Sequence, residues 1–118
     1  MTEKVWGALA WSLAAAIVIL TVVPPSLRPV TGVPHALEHF IMFALCGGAF
    51  GLGYRFGVLL QGIALIAFAG AIELLQLIVP GRHARLSDFV VDAIASCVGM
   101  LIGRAASIML TKSERKHR

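Results

Sequence analysis

Seven side chains stand out, by type and spacing, as candidates for chemistry: His35, His39, Glu73, Gln76, Arg82, Asp88 and Asp92. Three pairs lie at helical spacing. His35 and His39 are four residues apart, Glu73 and Gln76 three, and Asp88 and Asp92 four. Each spacing puts both members of a pair on one face of a helix. Arg82 lies between the last two pairs, and its planar fork can bind a carboxylate at two points. Four kinds of chemistry fit this set. Arg82 could pair with Glu73 and Asp88 and pin the segment between them. The cluster could form a polar pocket for an anionic or hydroxyl-rich lipid headgroup. His39 and Glu73 are suited to proton transfer, which makes them candidate catalytic residues. His35 and His39 are weak candidates for a metal, because Pro34 places His35 at the very edge of any helix.

Several chemistries are excluded. The chain has no Ser-His-Asp spacing, no glycine-rich phosphate loop and no zinc-peptidase motif. No cofactor and no metal are therefore expected. Cys46 and Cys97 both sit in apolar runs and read as small buried hydrophobes.

The elements that must position these groups follow from composition. Of 118 residues, 58% are hydrophobic and 14% charged, and the mean hydropathy is +0.89. Soluble domains average about 45–50% apolar and about 25% charged residues. The balance excludes a disordered chain and a nucleic-acid module. The net charge of +4 does not restore the latter, because the cations sit at the edges of apolar segments. The length allows one domain.

Four apolar segments fall at about residues 6–23, 37–54, 58–79 and 88–110, and a basic tail occupies 111–118. A span needs about 20 mostly apolar residues. The second segment reaches that length only if His39 lies within the membrane boundary. Pro24-Pro25, Arg55-Phe56-Gly57 and Pro80-Gly81 break the helices between segments. The expected architecture is an all-α integral membrane four-helix bundle. With both termini on one side, that side holds Lys4, Arg55, Lys112, Arg115, Lys116 and Arg118, against Arg28, Arg82 and Arg85 on the other. The positive-inside bias then places both termini in the cytoplasm.

Antiparallel threading carries the chemically capable residues to one membrane face. His39 opens the second segment, Glu73 and Gln76 close the third, and Asp88 and Asp92 open the fourth. At 1.5 Å per residue, Glu73 lies about 9 Å inside its segment end and Asp92 about 6 Å. Charges at such depth must face the bundle interior and find partners. The opposite end holds little beyond Arg55, Gln61 and Arg104. Small residues four apart, Gly47 and Gly51, Ala67 and Ala71, Gly99 and Gly103, should let helix backbones approach closely. Trp6 and Tyr54 fall at the expected interfaces. Phe40, Phe43 and Phe50 should pack helices or meet lipid.

These residues resemble those of the VanZ-like family of small integral membrane proteins over roughly residues 34–103. His39-Phe40 resembles the His-Phe pair that opens an early span of that family. Glu73-Leu74-Leu75-Gln76 resembles its Glu-x2-Gln, Pro80-Gly81-Arg82 its loop arginine, and Asp88 with Gly99 its last span. The chain departs from the pattern at His35-Ala36, where an Asp-Lys pair is usual. It also has Asp92 in place of an asparagine and Ala95 in place of a glycine. These departures make the cluster more acidic.

The resemblance implies a multi-pass protein of the bacterial inner membrane and cell envelope. It also implies a link to glycopeptide resistance of the teicoplanin type. The functional expectation is a polar site near the outer face, made by His39, Glu73, Gln76, Arg82, Asp88 and Asp92, that binds a lipid or lipid-linked ligand. The alternatives are a structural or interaction subunit, as a homo-oligomer or with a membrane protein partner, and a small enzyme using His39 and Glu73.

Overall fold

The computed structural model describes residues 3–22, 35–54, 57–78 and 86–116. It contains four helices: α1 (Glu3–Val22), α2 (His35–Gly53), α3 (Val58–Ile78) and α4 (Leu86–Lys116). No strand occurs among the described residues. Helix positions agree with the apolar segments to within three residues, except at the end of α4. That helix was expected to finish near residue 110 and instead runs to Lys116. The segment after 110 has neither Gly nor Pro to stop it, and Thr111 donates its hydroxyl to the Ser107 carbonyl at 2.9 Å.

α2 and α4 make the dominant contact. α1 packs on α2, α3 packs on α4, and α1 meets α3 only slightly. Glycine explains the close pairing. A Cβ at Gly47 would overlap the Ser96 carbonyl, and one at Gly51 would overlap that of Met100. From the other side, Gly99 abuts the Ala44 carbonyl and Gly103 that of Gly48. The two small-residue stripes therefore face each other and bring backbone against backbone. The third stripe behaves differently. Ala67 and Ala71 were expected to admit a neighbouring helix, but both lie on the outward side of α3. The inward side of α3 carries Gln61, Leu65, Ala69, Ile72, Glu73 and Gln76, so the seam is set by larger groups two positions away.

The interior is unusually polar for its size. Thr21, Gln61, Glu73, Gln76, Asp92, Ser96 and Ser107 are buried alongside Ala10, Ile17, Phe43, Ala69, Ile72 and Ala95. Serine and threonine hydroxyls close on their own helices: Thr21 on the Ile17 carbonyl at 2.7 Å and Ser96 on the Asp92 carbonyl at 2.8 Å. The outside is apolar. Leu59, Leu60, Leu74, Leu77, Ile78, Ile102 and Met109 are all more than half exposed. Three helices are long and apolar enough to cross a membrane, over Lys4–Val22, Val58–Ile78 and Leu86–Ser113. The apolar stretch of α2, Leu37–Gly53, is shorter. Both cysteines are free thiols. Cys46 is buried at the α1–α2 contact and Cys97 is half-buried.

The glycine contact yields a contrast between its two sides. Gly99→Ala drives a methyl into the Ala44 backbone, whereas a Cβ at Gly48 stays 3.5 Å from the nearest atom. Overpacking costs about 1–3 kcal/mol, while alanine gains up to about 1 kcal/mol of helix propensity over glycine. Gly99→Ala should lower the thermal midpoint in detergent, and Gly48→Ala should leave it unchanged or raise it.

Candidate functional site

The C-terminal turns of α1 and α3 and the N-terminal turns of α2 and α4 lie at the same end of the bundle, and His39, Gln76 and Asp92 gather there. His39 is in the second turn of α2 and Asp92 in the second turn of α4. The close α2–α4 packing brings them together. The His39 Nδ1 lies 3.3 Å from both Asp92 carboxylate oxygens. A carboxylate only accepts, so the hydrogen belongs on Nδ1. Asp92 is wholly buried, and the His39 side chain is 11% exposed. The His39 ring stacks on Phe43, one helical turn away, at 6.2 Å and 25°. Phe43 in turn meets Phe68 of α3 at 5.9 Å. The imidazole is thus fixed by a carboxylate on one side and a core aromatic on the other.

Glu73 and Gln76 share the inward side of α3, but they serve different spaces. Gln76 lines a small crevice of about 20 Å³ with Thr21, His39 and Phe43. Glu73, 8% exposed, lines a broad open groove of about 550 Å³ between α3 and α4. The rest of that groove is Ala67, Gly70, Ala71, Leu74, Leu77, Leu86 and Phe89. The three-residue step turns the two side chains far enough around α3 to separate them. His39 and Glu73, expected as a proton-transfer pair, therefore line separate clefts. The Asp92 carboxylate reaches His39.

Asp88 lies in the first turn of α4 and is half-buried, where the exposed amides of the helix start favour an acid. Arg82 lies outside the described residues, as does the side chain of His35. Among the described residues, no group of three His, Cys, Asp or Glu side chains could hold a metal ion.

The opposite end holds a second polar arrangement that the sequence reading passed over. Gln61 is 2% exposed. It donates to the Phe50 carbonyl at 2.9 Å and accepts from the Arg104 guanidinium at 3.1 Å. One amide thus ties the end of α2 to α4. Nearby, the Trp11 indole donates to the Tyr54 hydroxyl at 2.8 Å and meets the Phe50 ring edge-on at 5.2 Å. The signal available in the sequence was the seven-residue spacing of Gln61 and Phe68 on the inward side of α3, which marks Gln61 as interior.

The class defined by fold and site is an all-helical four-helix bundle with three long apolar helices and a polar core. Known family models, curated proteins and solved structures offer no match to the chain.

Breaking a buried pair by removing one partner costs about 3–5 kcal/mol, whereas replacing both by apolar groups of similar volume is often neutral. Asp92→Ala should therefore destabilise the bundle strongly. The double variant His39→Phe with Asp92→Leu should recover most of that loss. Chemical denaturation of the purified variants in detergent measures both.

Proposed function

We propose that this chain is a VanZ-like four-span membrane protein whose groove beside Glu73 receives a lipid or lipid-linked ligand. One observation carries the reading: a buried carboxyl group lies along an otherwise apolar groove that opens sideways between α3 and α4. An acyl or isoprenoid chain is complementary to Ala67, Gly70, Leu74, Leu77 and Phe89, and a headgroup donor is complementary to Glu73. The apolar exterior and polar interior support placement in a bilayer, where unsatisfied polar groups are costly. In that placement both termini are cytoplasmic and the Glu73 end faces the outer leaflet of a bacterial inner membrane. A contribution to resistance against teicoplanin-type glycopeptides belongs to the proposal only through the resemblance at His39, Glu73, Gln76, Arg82 and Asp88.

A second reading, an interaction subunit without a small ligand, is supported by the outward stripe of Ala67 and Ala71. That spacing suits a partner helix as well as a lipid chain. The His39–Asp92 pair belongs to the framework in both readings, because it joins the two most closely packed helices.

Native mass spectrometry of wild type, Glu73→Gln and Gly70→Leu separates the readings. Lipid binding predicts a retained lipid on the wild-type monomer that is lost in both variants at unchanged membrane abundance. The interaction reading predicts a wild-type dimer or heteromeric mass that Gly70→Leu disrupts and Glu73→Gln does not. Equal lipid retention by all three proteins would refute the lipid proposal.

A further inference from the structure

At the end of the bundle away from Asp92, a cleft of about 320 Å³ opens between α1 and α3, with α2 at its back. Ala14 and Leu65, both buried, and the half-buried Phe50 and Phe68 make its floor. Trp11 of α1 and Ala64 of α3 also line it, and both are exposed, so they stand at its mouth. The gap exists because α1 and α3 touch only slightly. On its other side α1 is held tightly to α2, where a Cβ at Gly53 would lie 2.8 Å from the Gly7 backbone.

The polar atoms on the wall are turned toward protein. The Trp11 indole gives its hydrogen to the Tyr54 hydroxyl. The Gln61 amide is bonded to the Phe50 carbonyl and the Arg104 guanidinium. Phe50 meets Trp11 edge-on and stacks on Tyr54 at 5.9 Å, which fixes the aromatic wall in place. An occupant therefore meets hydrocarbon. Ligand pockets of about 300–1,000 Å³ are mostly apolar in this way. An apolar cavity of about 150 Å³ already stays dry and takes up an apolar molecule.

Charge identifies what the occupant carries at its outer end. Lys4 is exposed and lies seven residues before Trp11. That spacing is about two turns, so Lys4 stands above Trp11 on the same side of α1, about 10 Å nearer the helix end. The helices at this end carry the cations Lys4, Arg104, Lys112, Arg115 and Lys116 against the acids Glu3 and Glu114. A hydrocarbon chain seated against Trp11 thus brings its headgroup to a basic rim.

We infer that the α1–α3 cleft holds one acyl chain of an anionic phospholipid, with the headgroup beside Lys4. The inference rests on the bilayer placement proposed above and not on the Glu73 groove, which lies between α3 and α4 at the other end.

The test reads Trp11 fluorescence in the full chain, with Trp6→Phe leaving Trp11 as the one tryptophan. The protein is placed in phosphatidylcholine vesicles containing increasing fractions of phosphatidylglycerol brominated in mid-chain. A parallel series uses brominated phosphatidylcholine. The phosphatidylglycerol should quench along a saturating curve and at a several-fold lower fraction than the phosphatidylcholine. Lys4→Gln should reduce that preference about fivefold, the contribution of one basic residue near a lipid surface. Ala64→Phe fills the mouth and should remove the saturating component, leaving a shallow dependence equal for both lipids. Ala64 and Lys4 are exposed, so neither change needs the interior to repack. Equal, shallow quenching by both lipids in the protein with native Lys4 and Ala64 means bulk lipid contact only and overturns the inference. Absence of quenching overturns it too, because protein, such as a second copy, then covers Trp11. An unchanged preference in Lys4→Gln, or a saturating curve retained in Ala64→Phe, contradicts the arrangement. Flotation of the protein with the vesicles reports bilayer placement separately. Glu73→Gln should leave the Trp11 curve unchanged, so the two lipid sites fail independently.

Discussion

Everything at the polar end depends on how closely α2 approaches α4. Four glycines, two on each helix, let backbone carbonyls of one helix sit where side chains would otherwise stand on the other. That approach is a distance constraint. It brings Asp92 within hydrogen-bond reach of His39, and no longer side chain would be needed to bridge them. It also decides what α3 can do. With α2 and α4 locked together, α3 docks along α4 and leaves a groove on its outer side and a crevice on its inner side. Glu73 and Gln76 fall one into each.

Much of the fold was legible in the sequence because it follows from simple rules. Apolar length and the proline and glycine breaks located all four helices to within three residues at nearly every boundary. The Gly47, Gly51, Gly99 and Gly103 spacing signalled close helix packing, while the pairing of α2 with α4 is read from the structure. The end of α4 was less legible, because polarity signals the end of an apolar segment and not the end of a helix. Ala67 and Ala71 misled for a related reason. Alanine is small enough for a helix contact but also a good helix former anywhere, so its spacing carries less information than that of glycine.

The candidate site was legible as a neighbourhood and not as a set of bonds. Spacing put His39, Glu73, Gln76 and Asp92 at one end of the bundle. It could not say which carboxylate meets the histidine, since both are at suitable depth and the outcome turns on the rotation of each helix. Helical rotation is set by packing, here by the glycine faces of α2 and α4 and by Gln61, Leu65, Ala69 and Ile72 of α3. The Gln61–Arg104 tie escaped for the same reason. Each residue looks isolated in the sequence, and only antiparallel threading makes them neighbours.

The central claim is that α3 turns its polar side inward and presents its groove-bearing side to lipid. Spin labels placed singly along α3 in a reconstituted bilayer test this most directly, read by collision with oxygen, which favours lipid, and with a water-soluble nickel chelate. The account predicts high oxygen and low nickel accessibility at positions 59, 63, 66, 71, 74 and 77, with minima for both at 61, 65, 69, 72 and 76, in a helical period. High nickel accessibility at 71 and 74 would place the groove in water. Low accessibility to both reagents at those positions would place it under a protein partner. Either result would contradict a groove open to the bilayer.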